Sequence, residues 1–436
     1  MSATSPPLRI AVVGGGIAGL TTALAIWKKK QEGANIQLDV YEQAERFGEV
    51  GAGVAFGPNA QRALRLIGVG EALDAVAGPA GEDADLWFDF RVGDAGEDSG
   101  KHFATVTGKD AARGSVHRAD FLEQLVKRLP EGLAHFHHRA TSYTPHENGV
   151  TVHFEKAGQK PAEADVLIAS DGIKSLLRGC LYRRKGADLA QQKARYSEWV
   201  AYRGLISRDK YHDAFGKGTN DKIMHCGKGR HILTFPVRNG ELINIVGFVH
   251  DPKHEKLGSH DGPWSEPRPK EEMLADYAPF NDECKRLLSA IEKPSLWGIF
   301  DLPPIEHAVD DRVVIIGDAA HGTTPHQGAG AGQAVEDSLF LAALLAHPSV
   351  ANSSPSARSS AIARALNIYQ TERHPRAQKV QVTSREAGKL YEFLDPDAGD
   401  DLGQIKKNLE ARMDWIWSFD TEKELERVTE LLDEAK

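Results

Sequence analysis

Residues 9–30 read RIAVVGGGIAGLTTALAIWKKK, and three consecutive glycines interrupt an otherwise apolar run. Glycine has the most conformational freedom to lose on folding and no side chain to pack, so such a run needs a backbone reason. Arg9 to Val13 have the β-branched character of a buried parallel strand, which reads as a continuous apolar run rather than an alternation. Beyond the glycines, Ile17, Leu20, Leu24 and Trp27 recur at helical spacing, and Lys28, Lys29 and Lys30 follow where cations favour a helix C-terminus. Between strand and helix, Gly14-x-Gly16-x-x-Gly19 supplies a tight turn, a close approach of backbone to a pyrophosphate, and a helix lying close on its strand. A second strand, IQLDVYE, ends on Glu42, placed to bond the ribose hydroxyls of a dinucleotide. Up to this point FAD and NAD fit equally.

Bulk properties exclude several classes. The chain of 436 residues is 41% hydrophobic, enough for a sizeable core and two or three domains. Its formal charge of -9 is spread over mixed signs, with no basic stripe for nucleic acid. Cys180, Cys226 and Cys284 have no spacing that builds a metal site or a disulfide framework, which suits a reducing cytosol. No apolar stretch approaches the ~20 residues that span a bilayer. The expectation is a soluble cytoplasmic protein that binds neither membrane nor nucleic acid and holds no metal. Oligomeric state is not legible.

Residues 312–346, RVVIIGDAAHGTTPHQGAGAGQAVEDSLFLAALLA, repeat the arrangement of strand, glycine cluster and helix. A second helix N-terminus aimed at the cofactor would set partial positive charge against an anionic part of it, and a nicotinamide fold has no obvious use for that. The three motifs, GxGxxG with Glu42, VLIASDGIKSLLR around Asp171-Gly172, and GDAAHGTTPHQGAGAG from Gly317, resemble those of the single-component FAD-dependent aromatic hydroxylases. Their order and approximate spacing match over most of the chain. The stretches EVGAG (residues 49–53) and HRADFLEQL (117–125) resemble the salicylate hydroxylase branch.

The resemblance implies an α/β, para-hydroxybenzoate hydroxylase-like fold: a discontinuous Rossmann-like FAD-binding domain (1–80, 110–185 and 296–346), an inserted antiparallel-sheet substrate domain (81–109 and 186–295), and a C-terminal helical region after a linker (347–436). It implies that Asp318 bonds the ribityl chain, and that the amides of Gly330, Ala331 and Gly332 face the flavin edge where negative charge collects on reduction. It also implies that Asp171 contacts FAD and the nicotinamide, that Arg118 steadies the flavin, and that the Pro325 carbonyl faces the ring carrying the substrate hydroxyl. The strands around YSEWVAYRGLI, KIMHCGKGRHILTFPVR and ELINIVGFVH read as an antiparallel sheet over the flavin and offer His225, Arg238, Arg203 and His231 to a substrate. A gapless comparison with the para-hydroxybenzoate branch sets His225 at a substrate-contacting position, as the base for the phenol, and Arg238 at a carboxylate-binding one. Arg203 is a second partner for the carboxylate. His321 and His326 are expected to shape their loop, residues 251–269 to form a surface loop, and PSVANSSPSARSS (348–360) to be a flexible link.

The implied reaction is hydroxylation of a small aromatic acid with O2 and NADH or NADPH through a flavin hydroperoxide, with salicylate converted to catechol and CO2. Alternatives are another hydroxybenzoate or a hydroxynicotinate-type acid, a flavin reductase or epoxidase acting on lipid, and a flavin-binding protein without turnover.

Overall fold

Leu8–Val13 and Val166–Ala169 are apolar and buried at nearly every position, which suits central parallel strands covered on both faces. In the computed structural model, which describes residues 5–48, 53–77, 84–188, 192–253 and 263–434, they are the middle of a six-stranded sheet. Its order is Val309–Asp310, Val313–Ile315, Val166–Ala169, Leu8–Val13, Ile36–Tyr41, Ala134–His135, parallel throughout except for the first pair. The helix Ile17–Gln31 leaves the first strand through the glycines and packs on the helix Gly330–Ala346, where Thr21 and Thr22 hydroxyls each lie 2.8 Å from the Ser338 hydroxyl. Two motifs some 300 residues apart thus form one layer of the cofactor unit.

The second unit is an eight-stranded sheet ordered Ser265–Pro267, Ser295–Asp301, Arg195–Ser207, Leu242–His250, Arg230–Val237, Ile223–Gly227, Leu86–Val92, His102–Thr107. All its pairings are antiparallel except that of Ile223–Gly227 with Leu86–Val92. Ser295–Asp301 belongs to this sheet, so the chain returns to the cofactor unit after residue 301 rather than at 296. One face packs on the helices Lys270–Asp276 and Asp282–Ser289 through Tyr202, Ile232, Ile245, Met273 and Leu287. The other face looks toward the cofactor unit and the helix His374–Tyr391.

The stretch 348–360 is helical rather than a loose link, divided between Pro348–Ala351 and Pro355–Ile368. Each proline stands in the first turn, where its fixed φ and missing N–H cost a helix nothing, so the Ser/Pro composition marks helix starts. The expected surface loop 251–269 lies largely outside the described residues, and so do residues 49–52 of the EVGAG stretch. Among the described residues, no helix is long and apolar enough to cross a membrane, and no cluster of His, Cys, Asp and Glu could hold a metal ion.

Candidate active site

A cavity of about 740 Å³ runs between the two units, from Gly14–Ala18 and Glu42 at one end to the sheet residues His231, Leu233, Val246 and Phe248 at the other. That volume lies in the range of small-molecule and cofactor sites.

The cofactor wall is made of backbone. The first intrahelical bond of Ile17–Gln31 is Leu20 N to Gly16 O, and Gly16 offers no side-chain cap, so the amides of Ile17, Ala18 and Gly19 have no acceptor within the helix. Gly14 has φ +106, and a Cβ there would lie 2.3 Å from Ser170 O; a Cβ on Gly19 would lie 1.8 Å from Gly14 O. Gly14 and Gly16 line the cavity, while Gly19 lets helix and strand touch. Glu42 accepts hydrogen bonds from Gly15 N at 2.6 Å and Ala44 N at 2.8 Å, which fixes its carboxylate at the mouth of the glycine turn.

Gly330–Ala346 begins in the same way. Its first intrahelical bond is Gln333 N to Ala329 O, leaving the amides of Gly330, Ala331 and Gly332 without helical acceptors. Gly330 and Ala331 line the cavity; the Cβ position of Gly332 faces Ala60 at 2.9 Å instead and serves helix packing. Asp318 follows Gly317, whose φ is +57, and its side chain is exposed into the cavity. Behind it, buried Asp337 accepts from Gly317 N at 3.0 Å and lies 2.6 Å from His321 Nε2 and 3.1 Å from Arg373 Nη2. Burial opposes the Asp337 carboxylate, but the His321 ring and the Arg373 guanidinium outweigh it and hold the acid well below its usual range. This bond set ties the Asp318 loop to the helix, and His321 shapes the loop as expected.

Asp171 lines the cavity, yet its carboxylate serves the helix Leu176–Lys185: Oδ1 accepts from Ser175 Oγ at 2.6 Å, and Oδ2 from Leu176 N and Leu177 N at 2.9 and 3.2 Å. Burial pushes this acid up, and the bonds from Ser175 and Leu177, with the Arg178 charge, work against that shift. Arg118, first residue of the helix Arg118–Val126, also lines the cavity.

On the sheet wall, strand alternation separates the candidates. His231, Leu233 and Phe235 of one strand, Asn244, Val246 and Phe248 of the next, and Met224 and Arg203 all face the cavity. His225 does not. It lies between Met224 and Cys226 and pairs with Ile232, so it shares the face covered by the helix Asp282–Ser289. Burial and nearby Arg91 push its imidazolium down to about 4. Arg238 is also outside the cavity, in the left-handed turn after Val237 with φ +50, where it pairs with Asp120 at 3.1 Å. His225 misses the cavity because it faces the other side of its strand, and Arg238 because it lies beyond the end of Arg230–Val237.

Arg203 stands in the cavity, its guanidinium 5.0 Å above the Trp297 ring and its buried Nε without an acceptor. Burial and Arg118 lower it to about 10, which leaves it a cation at neutral pH. Pro325 and His326 line the cavity opposite the sheet. His326 has more than a loop-shaping place. Its ring lies 5.3 Å from that of His231 and 5.0 Å from that of Trp199, and both of its nitrogens lack partners. His231 Nδ1 lies 2.9 Å from Glu392 Oε1, and its Nε2 has no partner. Glu392, at the end of the helix His374–Tyr391, was not among the sequence candidates. A lone carboxylate inside the apolar run LYEFL, residues 390–394, is the local signal that could have pointed to it.

Two helix N-termini with open amides, an exposed aspartate between them and a glutamate at the first glycine turn fit a dinucleotide with a flavin. A family profile described as FAD binding domain matches residues 8–384. The chain belongs to the FAD-dependent monooxygenases. A salicylate hydroxylase of Pseudomonas putida is 41% identical over 426 residues, spanning 96% of this chain and 94% of that protein. A 6-methylsalicylate 1-monooxygenase of Aspergillus terreus is 36% identical over 422 residues, spanning 95% and 90%. The solved structure of a salicylate hydroxylase substrate complex superposes with a TM-score of 0.85 at 37% identity, covering 97% of this chain and 98% of that one. The monooxygenase uses FAD with NADH or NADPH and acts on a small aromatic compound. The lipid-directed and non-catalytic alternatives fall away.

Proposed function

We propose that this monooxygenase hydroxylates an ortho-hydroxybenzoate, with salicylate as the first substrate to test, releasing catechol and CO2. The observation that carries this reading is the pairing of groups on one sheet face. The Arg203 cation and the unpartnered Nε2 of His231 face the same cavity, two strands apart, among Met224, Leu233, Val246 and Phe248. An aromatic ring suits the apolar wall, a carboxylate withheld from water needs a cation, and a phenol that must ionise needs an acceptor. The relatives named for salicylate and 6-methylsalicylate support the same class.

FAD, when bound by the open amides and by Asp318, accepts hydride from NADH or NADPH and activates O2. The chain's own residues do the rest. Arg203 holds the carboxylate, the Pro325–His326 turn closes the ring against the sheet, and His231 accepts the phenol proton, so that the oxygen's electron pair enriches the carbon bearing the carboxyl group. Hydroxylation at that carbon breaks its bond to the carboxyl group. The balance is salicylate, O2, NAD(P)H and two protons giving catechol, CO2, NAD(P)+ and water.

The test assays salicylate, 6-methylsalicylate, 3-hydroxybenzoate and 4-hydroxybenzoate side by side for product, CO2 and hydrogen peroxide. Coupled CO2 release from the ortho acids is expected. Peroxide alone from them, with hydroxylation of another acid, would defeat the substrate reading.

A further inference from the structure

Resting on the ortho-hydroxybenzoate reading, we propose that Glu392 is a positioning residue for the reaction: it holds His231 with Nε2 turned to the cavity and takes up, through that ring, the proton given up by the substrate hydroxyl.

The geometry specifies both halves. Glu392 is completely buried, and each of its oxygens has one partner: Oε1 lies 2.9 Å from His231 Nδ1, and Oε2 accepts from Trp199 Nε1 at 2.7 Å. With Oε2 engaged by an indole that can only donate, any proton on Glu392 sits on Oε1, in line with His231. The remaining nitrogen, His231 Nε2, is buried without a partner at the cavity. The chain also goes to some lengths to put a carboxylate there. The helix His374–Tyr391 ends with Leu394 N bonding Lys389 O at 2.8 Å and Phe393 N bonding Leu390 O, a closure that needs a left-handed residue and usually takes glycine. Here Phe393 fills that position at φ +54. Gly229 N, at the tip of the hairpin that carries His231, donates to Glu392 O at 2.9 Å and locks helix end to hairpin.

Transfer balances without any added reagent. The substrate O–H bond breaks as Nε2–H forms; Nδ1–H breaks as Oε1–H forms. The imidazole is neutral before and after, and one negative charge passes from Glu392 to the substrate oxygen. Burial favours this over a histidine acting alone, because it pushes the His231 imidazolium down to about 3. The groups around Glu392 set when it is ready. Arg230 lies beside His231 on its strand and His250 on the next; Cys226 and Tyr277 also face it. His326 and Arg385 stand beyond Trp199. Burial raises the Glu392 acid to about 8, against the Trp199 bond, His250 and Arg230, which favour the carboxylate. The acceptor form therefore grows as pH rises toward 8, and below that the protonated acid donates to Nδ1 and leaves Nε2 as a donor.

The decisive variant is Glu392→Gln, whose amide oxygen can keep the Trp199 bond while its NH2 donates to Nδ1 and removes the acceptor. The holoenzyme is titrated from pH 6 to 9 with a nitro-substituted salicylate, whose hydroxyl reports its ionisation by visible absorption, and coupled catechol formation is followed over the same range. In Glu392→Gln, the bound hydroxyl should ionise about one pH unit higher or more, and coupled turnover should fall roughly 100-fold with its rise toward pH 8 abolished and FAD retained. Glu392→Asp, which keeps the carboxyl, should retain the inflection. An unmoved ligand titration and pH profile in Glu392→Gln overturns the proposal. If that variant does not fold, Trp199→Phe serves: losing a donor to Oε2 should move the inflection to higher pH, and an unchanged inflection overturns the proposal equally. A parent enzyme that couples no ortho-hydroxybenzoate defeats the substrate reading instead, before any variant is compared.

Discussion

The loop wall of the cavity presents backbone amides, whereas the sheet wall presents individual side chains. On the loop wall, each contact is set by chain geometry within a few residues: a glycine at φ +106, a helix start without a cap, Asp318 after a left-handed Gly317. On the sheet wall, a residue's meaning depends on which face of a strand it occupies, and one step along the chain reverses that. Amides at helix starts suit a cofactor that recurs across a family. Side chains on alternate strand positions can be exchanged singly, which suits the part of the site that chooses the substrate.

The largest expected effect breaks the loop wall. Gly14→Val would force a side chain to 2.3 Å from Ser170 O at a positive φ, separating two central strands at the edge of the cavity. The variant should purify colourless or not at all, as read by flavin absorbance. Full flavin retention would show that backbone geometry is not what holds the cofactor.

On the sheet wall the two histidines should part company. His231→Ala should cut coupled hydroxylation by roughly 100-fold while the flavin spectrum stays and peroxide rises. His225→Ala, on the far face, should leave coupling as in the parent and cost about 1–3 kcal/mol of stability through the vacated buried site. The reverse pattern would overturn the assignment by alternation.

His225 also gives a stability test against pH. Its folded-state value of about 4 lies below the ordinary 6.5, so between those limits the unfolded chain binds the proton that the folded chain refuses. Stability is therefore full above about pH 6.5 and falls as pH drops toward 4, by a few kcal/mol at ~1.4 kcal/mol per unit. His225→Gln should make that slope shallower, by ~1.4 kcal/mol per pH unit, in denaturant titrations at pH 6.5, 5.5 and 4.5, whatever its offset at neutral pH. An unchanged slope would assign the acid sensitivity to His231, His326 and His374, which burial lowers in the same direction.

These contrasts explain what the sequence disclosed. Gly14, Gly16, Glu42, Asp318, Gly330 and Ala331 were legible because their places follow from local chain geometry, and the cavity gathers them, while Gly19 and Gly332 of the same motifs serve packing. His225 and Arg238 were misplaced because their choice rested on an offset along the strands, whereas Cys226, not His225, is the partner of His231 in the hairpin. Glu392 lies 161 residues from the ring it bonds, a distance no local pattern spans. Asp171 was recognised by motif, but its carboxylate bonds Ser175 and the first amides of a helix, contacts that the family resemblance does not imply.

The two arginines give the finer comparison. Arg203→Met keeps an apolar stem over Trp297 and removes the cation of the sheet wall, so KM for the aromatic acid should rise about tenfold, or ~1.4 kcal/mol, with FAD retained. An unchanged KM would move the carboxylate to another donor, with Asn244 the next polar side chain on that wall.

The smallest effect belongs to Arg238. Its pair with Asp120 is half exposed, at 48% and 29% of the side chains, so water and salt screen it and its removal should cost less than about 1 kcal/mol. Arg238 also occupies a left-handed turn position at φ +50, which asparagine adopts more readily than arginine. Arg238→Asn therefore trades a weak ion pair for a more comfortable turn. Stability should change by no more than about 0.5 kcal/mol, and KM should stay within about twofold of the parent. A KM rise as large as that of Arg203→Met would mean that the hairpin end folds over the substrate during turnover, and that the sheet wall extends beyond the face its alternation defines.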